Sequence, residues 1–221
     1  MKKFQNQTNL MNSLDIAQEL VRRPSVNPLH DPKSSGENKV VDWLEQWGKE
    51  HHLETLREPV FPNRDNICFK ISNGEGPHLL LNGHTDTVSV AGMDIDPFSG
   101  ELRDGRLWGR GSTDMKGPLA CMLETILRMR ERDDWKGTIT VGCVVDEETE
   151  YRGILKLIED QAPWDYAVVG EPTDLRVVRG CKGSVRLHVR VRGRAAHSSD
   201  PSQGRNAIVG MAPVLEAMQA F

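Results

Sequence analysis

The sequence predicts an α/β fold, a sheet carrying helices on its faces. Three observations carry this. Leu79-Leu80-Leu81, Thr138–Val145 and Tyr166–Val169 are short apolar or β-branched runs bounded by turn residues, the pattern of buried strands. Helix patterns separate them, and that alternation calls for helices layered on a sheet. Each run also ends in acids or histidine: His84 and Asp86 after the first, Asp146-Glu147-Glu148 after the second, Gly170-Glu171 after the third. In open α/β sheets, ligands gather outside the carboxyl ends of strands, so these side chains are candidates for one site.

Ser13 is a plausible N-cap for a first helix, with Leu14, Ala17, Leu20 and Val21 at helical spacing until Pro24. Ser25 to Gly36 is rich in Pro, Ser, Asn and Asp and reads as loop. Val40, Val41, Leu44 and Trp47 mark one face of a second helix. His51 and His52, just past it, read as dipole partners or solvated residues rather than ligands. Leu53 to Ile71 is strand-like, clearest at Ile67–Ile71. After Leu79–Leu81 comes a hairpin signal at Asp104-Gly105, then Gly109-Arg110-Gly111-Ser112-Thr113-Asp114 and a helix pattern from about Met115. The run 138–145 is nearly continuous and β-branched, which places it at the centre of a sheet. Ile154–Glu159 is a further helix pattern. Past Gly180, Val185, Leu187, Val189 and Val191 alternate with Arg186, His188, Arg190 and Arg192, the pattern of a half-exposed antiparallel strand. A segment holding His197 and a helix from about Asn206 complete the chain. A boundary therefore falls at residue 180, dividing 1–180 from an unfinished unit at 181–221.

With 38% hydrophobic and 27% charged residues, the 221-residue chain has the composition of a soluble globular protein. A net charge of −4 argues against nucleic acid, and no run is long and apolar enough to span a bilayer. The N-terminal MKKFQNQTNL lacks the apolar core of a signal peptide. Cys68, Cys121, Cys143 and Cys181 form no CxxC pair and read as reduced thiols, which with the rest suggests the cytoplasm.

His84, Asp86, Asp114, Glu147, Glu148 and Glu171 would bring five carboxylates to one sheet edge. They could not all stay ionised there without cations. Two divalent ions solve this, and oxygen plus imidazole ligands suit zinc, with cobalt or manganese as substitutes. His84 and Asp86, two apart in extended chain, point the same way, so Asp86 can fix the His84 tautomer. Glu147 and Glu148, as neighbours, should point to opposite sides, one to ligate and one to act as base. Asp114, after a glycine-rich turn, could bridge two ions about 3.5–4 Å apart. Taken singly, Asp114 reads as an N-cap, Glu147-Glu148 as a solvated loop and Glu171 as a turn residue. Spacing alone leaves both readings open.

The motifs HTDTV at 84–88, GRGSTDMKG at 109–117, DEET at 146–149, GEPT at 170–173 and GRAAHS at 193–198 resemble one family of di-zinc hydrolases. It is the family of acetylornithine deacetylase, succinyl-diaminopimelate desuccinylase, aminoacylase and the glutamate-releasing carboxypeptidases. The resemblance implies a mixed sheet with helices on both faces, a zinc-peptidase-like catalytic domain at 1–180. Residues 181–221 would begin an inserted α+β lid or dimerisation domain. It implies that His84 and Glu171 bind one zinc, Glu148 the other, and Asp114 both. Glu147 would be the general base, Asp86 would orient His84, and His197 would stabilise the oxyanion. The implied reaction is amide hydrolysis of an N-acyl amino acid or small peptide, with dipeptidase or carboxypeptidase action as the alternative within the class, by a homodimer when full length. Members of the family run longer, and a late histidine completes their second zinc; here no histidine follows His197. These 221 residues should therefore hold the second ion weakly and have weak or no activity alone. A competing reading is an inactive fragment that binds metal or pairs with another subunit through Val185–Val191. A nucleic-acid stripe over Lys182, Arg186, Arg190, Arg192 and Arg194 is disfavoured by the acidic total and the valine alternation.

Overall fold

A computed structural model describes residues 11–161, 163–183, 185 and 187–220. The N-terminal MKKFQNQTNL and Arg186 of the alternating segment lie outside them. By internal contacts the chain divides into two units, Met1–Arg176 and Val177–Phe221.

The first unit is built on a five-stranded sheet in the order β1-β2-β6-β3-β7, with β1 Glu54–Phe61, β2 Arg64–Asn73, β3 His78–His84, β6 Gly137–Val144 and β7 Tyr166–Val169. β1, β2 and β6 are antiparallel neighbours, whereas β3 runs parallel to both β6 and β7, so the sheet is mixed. As its β-branched composition predicts, β6 is the central strand. A small hairpin, β4 Glu101–Arg103 and β5 Arg106–Trp108, turns at Asp104 and Gly105, both at positive φ as a two-residue hairpin turn requires.

Side-chain alternation along the strands sends apolar groups to both faces. Ile67, Phe69, Leu81, Ile139 and Val141 join one large core with α1 Ser13–Val21, α2 Asn38–Glu50 and α3 Gly117–Arg130. Cys68, Leu80 and Val144 join a smaller one with Leu157 of α4 Arg152–Gln161. Helices thus cover both faces, three on one and one on the other. The cap of α1 is Asn12, one residue earlier than expected: its side chain accepts from the Leu14 and Asp15 N–H groups, while the Ser13 N–H donates to Glu124. His51 behaves as a helix-end partner, its Nδ1 2.8 Å from the Trp47 carbonyl.

One strand departs from expectation. β7 is exposed at all four residues, not buried, because among the described residues it pairs with β3 alone and forms the edge of the sheet.

The second unit contains an isolated bridge between Arg194 and Arg205, a short turn at Pro201–Gln203 and α5 Ala207–Gln219, capped by Asn206. The expected strand at 185–191 is not formed among its described residues. A single strand with no neighbour to take its backbone hydrogen bonds has no ladder to join.

Candidate metal centre

Strand register assembles the site. His84, the last residue of β3, pairs with Val144 at the end of β6, and Asn82 pairs with Val169 at the end of β7. The two segments that follow, Asp146–Glu148 and Gly170-Glu171, therefore leave the same rim as His84. Ladder bonds continue past the strands, from the Thr85 N–H to the Val144 carbonyl and from the Gly170 N–H to the Asn82 carbonyl. Asp114 arrives from the other side, in an irregular turn at Ser112–Lys116 that precedes α3, with extended φ/ψ of −120° and 97°. Two side chains seat that turn. Met115 is buried and its sulfur accepts from the His84 N–H, and the buried Lys116 donates its Nζ to the Arg23 carbonyl. Burial pushes the Lys116 amine down to about 7.

The result is two groups of potential ligand atoms sharing His84. His84, Asp114 and Glu171 form one, His84, Glu147 and Glu148 the other, with all atoms of each group within 4.8 Å of one another. Nε2 of His84 faces Asp114 Oδ1 at 3.0 Å and Glu147 Oε2 at 3.8 Å. One imidazole and four carboxylates offer the nitrogen and oxygen donors that zinc, cobalt or manganese accept, so the donor set fits divalent cations.

Electrostatics point the same way. Burial alone would push the His84 imidazole down, yet its contacts with Asp114 and Asp86, helped by Glu147, hold it at about 11. Burial raises Glu147 to about 7; Glu171, Glu148 and Asp86 add to the rise and His84 opposes it. Burial also raises Glu148 and Glu171, each further raised by Asp114 nearby. A carboxylate held near neutrality suits a proton carrier at physiological pH.

Two geometric expectations need correcting. Glu147 and Glu148 do not point apart: both reach the His84 group. The two-sided rule holds for extended chain, and the chain leaves β6 through Asp146 at a φ of 69°, where side-chain alternation no longer applies. Asp86 fixes His84 chiefly through its main chain. Nδ1 lies 2.9 Å from the Asp86 carbonyl oxygen and 3.5 Å from its carboxylate. The carboxylate accepts instead from the Glu147 and Glu148 N–H groups at 3.0 and 3.1 Å, so it shapes the loop that carries both glutamates. Burial would raise the Asp86 carboxyl, yet His84, the Asn27 amide and the Glu148 N–H hold it below its usual range.

His197 belongs to the second unit. It is exposed, and its Nδ1 accepts from the Ser199 N–H at 3.2 Å, which leaves the ring hydrogen of the neutral form on Nε2.

A model of peptidase family M20/M25/M40 matches residues 80–212, from the strand that presents His84 through His197. The chain belongs to this family. Among curated proteins, the M20 chain is 37% identical over 212 residues to the acetylornithine deacetylase of Vibrio atlanticus, covering 93% of this chain and 54% of that protein. It is 33% identical over 210 residues to that of Aliivibrio fischeri strain MJ11, covering 94% and 55%. It therefore spans about half the length of the curated relatives it matches. Its fold is similar to a tripeptidase from Staphylococcus aureus, with a TM-score of 0.59 at 18% identity over 93% of this chain and 55% of the other. It is also similar to an M20 family metallo-carboxypeptidase from Sulfolobus solfataricus, with a TM-score of 0.61 at 18% identity over 73% and 37%.

Behind the ligands lies a polar layer that sequence reasoning did not single out. Arg64 grips Glu37 with two bonds of 2.6 and 2.7 Å and reaches Asp146 Oδ1 at 3.2 Å. Asn27, in the segment read only as loop, bonds Asp86 and Asp146. No periodicity marks such residues.

Proposed function

We propose that this M20 chain is the metal-binding part of an amidohydrolase that cleaves the amide bond of an N-acyl amino acid or small peptide. One observation carries the reading: His84 and the carboxylates of Asp114, Glu147, Glu148 and Glu171 converge at the carboxyl rim of the sheet, in two overlapping groups. Two divalent ions, zinc or its substitutes cobalt and manganese, would polarise the scissile carbonyl and acidify a water. His84, Asp114 and Glu171 would hold one ion, and Glu148 with Asp114 the other. Glu147 takes the proton from the attacking water on its carboxylate and hands it to the leaving amine. His197 donates its Nε2 hydrogen to the tetrahedral oxyanion, a role the Ser199 bond to Nδ1 supports by fixing the tautomer.

The acetylornithine deacetylase relatives favour a short acyl group as substrate, and the tripeptidase and carboxypeptidase folds keep small peptides as the alternative. We place the protein in the cytoplasm, because all four cysteines are free thiols. Among the described residues, no helix is long and apolar enough to cross a membrane. We assign the full-length enzyme to the homodimers.

The test is a panel of N-acetyl amino acids, N-succinyl amino acids and dipeptides given to the full-length protein with zinc, cobalt or manganese. Hydrolysis of at least one class is expected, with kcat falling about 10²–10⁴-fold in Glu147→Gln while metal content holds. A full-length protein inert toward every class, or an unimpaired Glu147→Gln variant, overturns the reading.

A further inference from the structure

We propose that Asn27 is a positioning residue that ties the His84 arm of the metal centre to the Glu147–Glu148 arm. The inference rests on the metal-site reading above and adds to it a residue that touches no ligand atom. The two arms come from different strands and each carries a buried carboxylate beside its ligands, Asp86 two residues past His84 and Asp146 one residue before Glu147. The Asn27 Nδ2 lies 2.8 Å from Asp86 Oδ2 and 3.1 Å from Asp146 Oδ1, so its two hydrogens can serve one acceptor from each arm. Thr149 Oγ1 lies 3.2 Å from the same nitrogen and itself donates to Asp146 at 2.6 Å.

The amide cannot be turned the other way, because its Oδ1 already accepts from the Leu29 N–H at 3.0 Å. Asn27 is fully buried, and among the described residues it is the only side chain hydrogen-bonded to both Asp86 and Asp146. Being neutral, it joins two like charges without adding a third. Each acid has a further attachment: Asp146 to Arg64, and Asp86, across the two arms, to the Glu147 and Glu148 N–H groups. Removing Asn27 would thus leave the bonds from Asp86 to the glutamate loop in place and break the link between the two buried carboxylates, loosening their mutual spacing, to which a shared metal ligand set is sensitive.

The backbone of the segment is held independently of the side chain. The Asn27 N–H donates to the Thr87 carbonyl at 2.9 Å and the Thr87 N–H to the Ser25 carbonyl at 3.0 Å. Side-chain truncation should therefore leave residues 25–27 in place.

The experiment is calorimetric titration of the full-length protein, wild type, Asn27→Ala and Asn27→Ser, with zinc and with manganese, beside thermal melting of the chelator-treated proteins. Both variants should bind metal about ten-fold more weakly, while the melting midpoint without metal moves by only a few degrees. Should Asn27→Ala fail to fold, Asn27→Ser is read alone. Affinities within two-fold of wild type, or a loss that only tracks the unfolded fraction, overturn the positioning role and leave the metal site standing. A wild-type protein that takes up no metal overturns the parent reading instead.

Discussion

His84, the last residue of β3, is common to both candidate ligand groups. Its ring is held at about 11 by carboxylates that press on it from Asp114 and Asp86, and Glu147 sits at about 7 under burial and the same crowd. Both shifts are upward, so at neutral pH the unligated site retains protons that a divalent ion must displace. Ion binding therefore releases protons and strengthens as pH rises. Between pH 6 and 8, affinity should climb about ten-fold per pH unit for each proton displaced, and calorimetry in buffers of differing ionisation enthalpy should count at least one proton released per ion. A pH-independent affinity over that range would place the ion elsewhere. His84, Asp114, Glu147, Glu148 and Glu171 were legible in the sequence because each follows a strand or a glycine-rich turn, positions where local pattern carries information. Asn27, Glu37 and Arg64 were not. Asn27 meets partners 59 and 119 positions away, and its own segment looks like any polar loop.

Elements deliver these residues through register and close approach. β6 and β3 end level, at Val144 and His84, and α4 begins directly behind the loop that carries the two glutamates. That helix can sit so close because Gly153 lacks a side chain: a Cβ there would lie 2.2 Å from the Val145 carbonyl and 2.7 Å from Asn66 Oδ1. Asn66 is the clasp of this corner, donating to Glu58 and to the Gly153 carbonyl while accepting from the Val145 N–H. Gly153→Ala should therefore cost about 1–3 kcal/mol by overpacking, read as a melting midpoint lower by several degrees, with the exit of the chain toward Glu147 displaced. An unchanged midpoint would mean that α4 yields freely. The strands, helices and hairpin of this unit were readable because their periodicities of two and 3.6 record burial on one face or two. β7 misled because its apolar residues suit a covered strand, whereas its place at the sheet edge follows from topology, which local pattern does not encode. The 185–191 alternation misled for a related reason, since a strand pattern forms a strand only where a neighbour takes its hydrogen bonds.

At the scale of the whole molecule, the first unit is a sheet between two unequal helical layers, with its concentrated negative charge at one rim. Such a rim binds cations for the same reason that it is costly without them: like charges from three strands are brought together and partly desolvated. Two ions held as proposed would between them link β3, the loop after β6, the segment after β7 and the turn before α3. Metal that binds only the folded chain also stabilises it by mass action. The most direct test is equilibrium dialysis of the 221-residue chain against zinc, with bound metal counted by atomic emission, for the wild type and for His84→Ala. The account predicts one tightly held ion per chain, a second bound more weakly, and loss of the tight ion in His84→Ala. A wild-type chain that holds no zinc, or a His84→Ala variant that binds as much and as tightly, would contradict it.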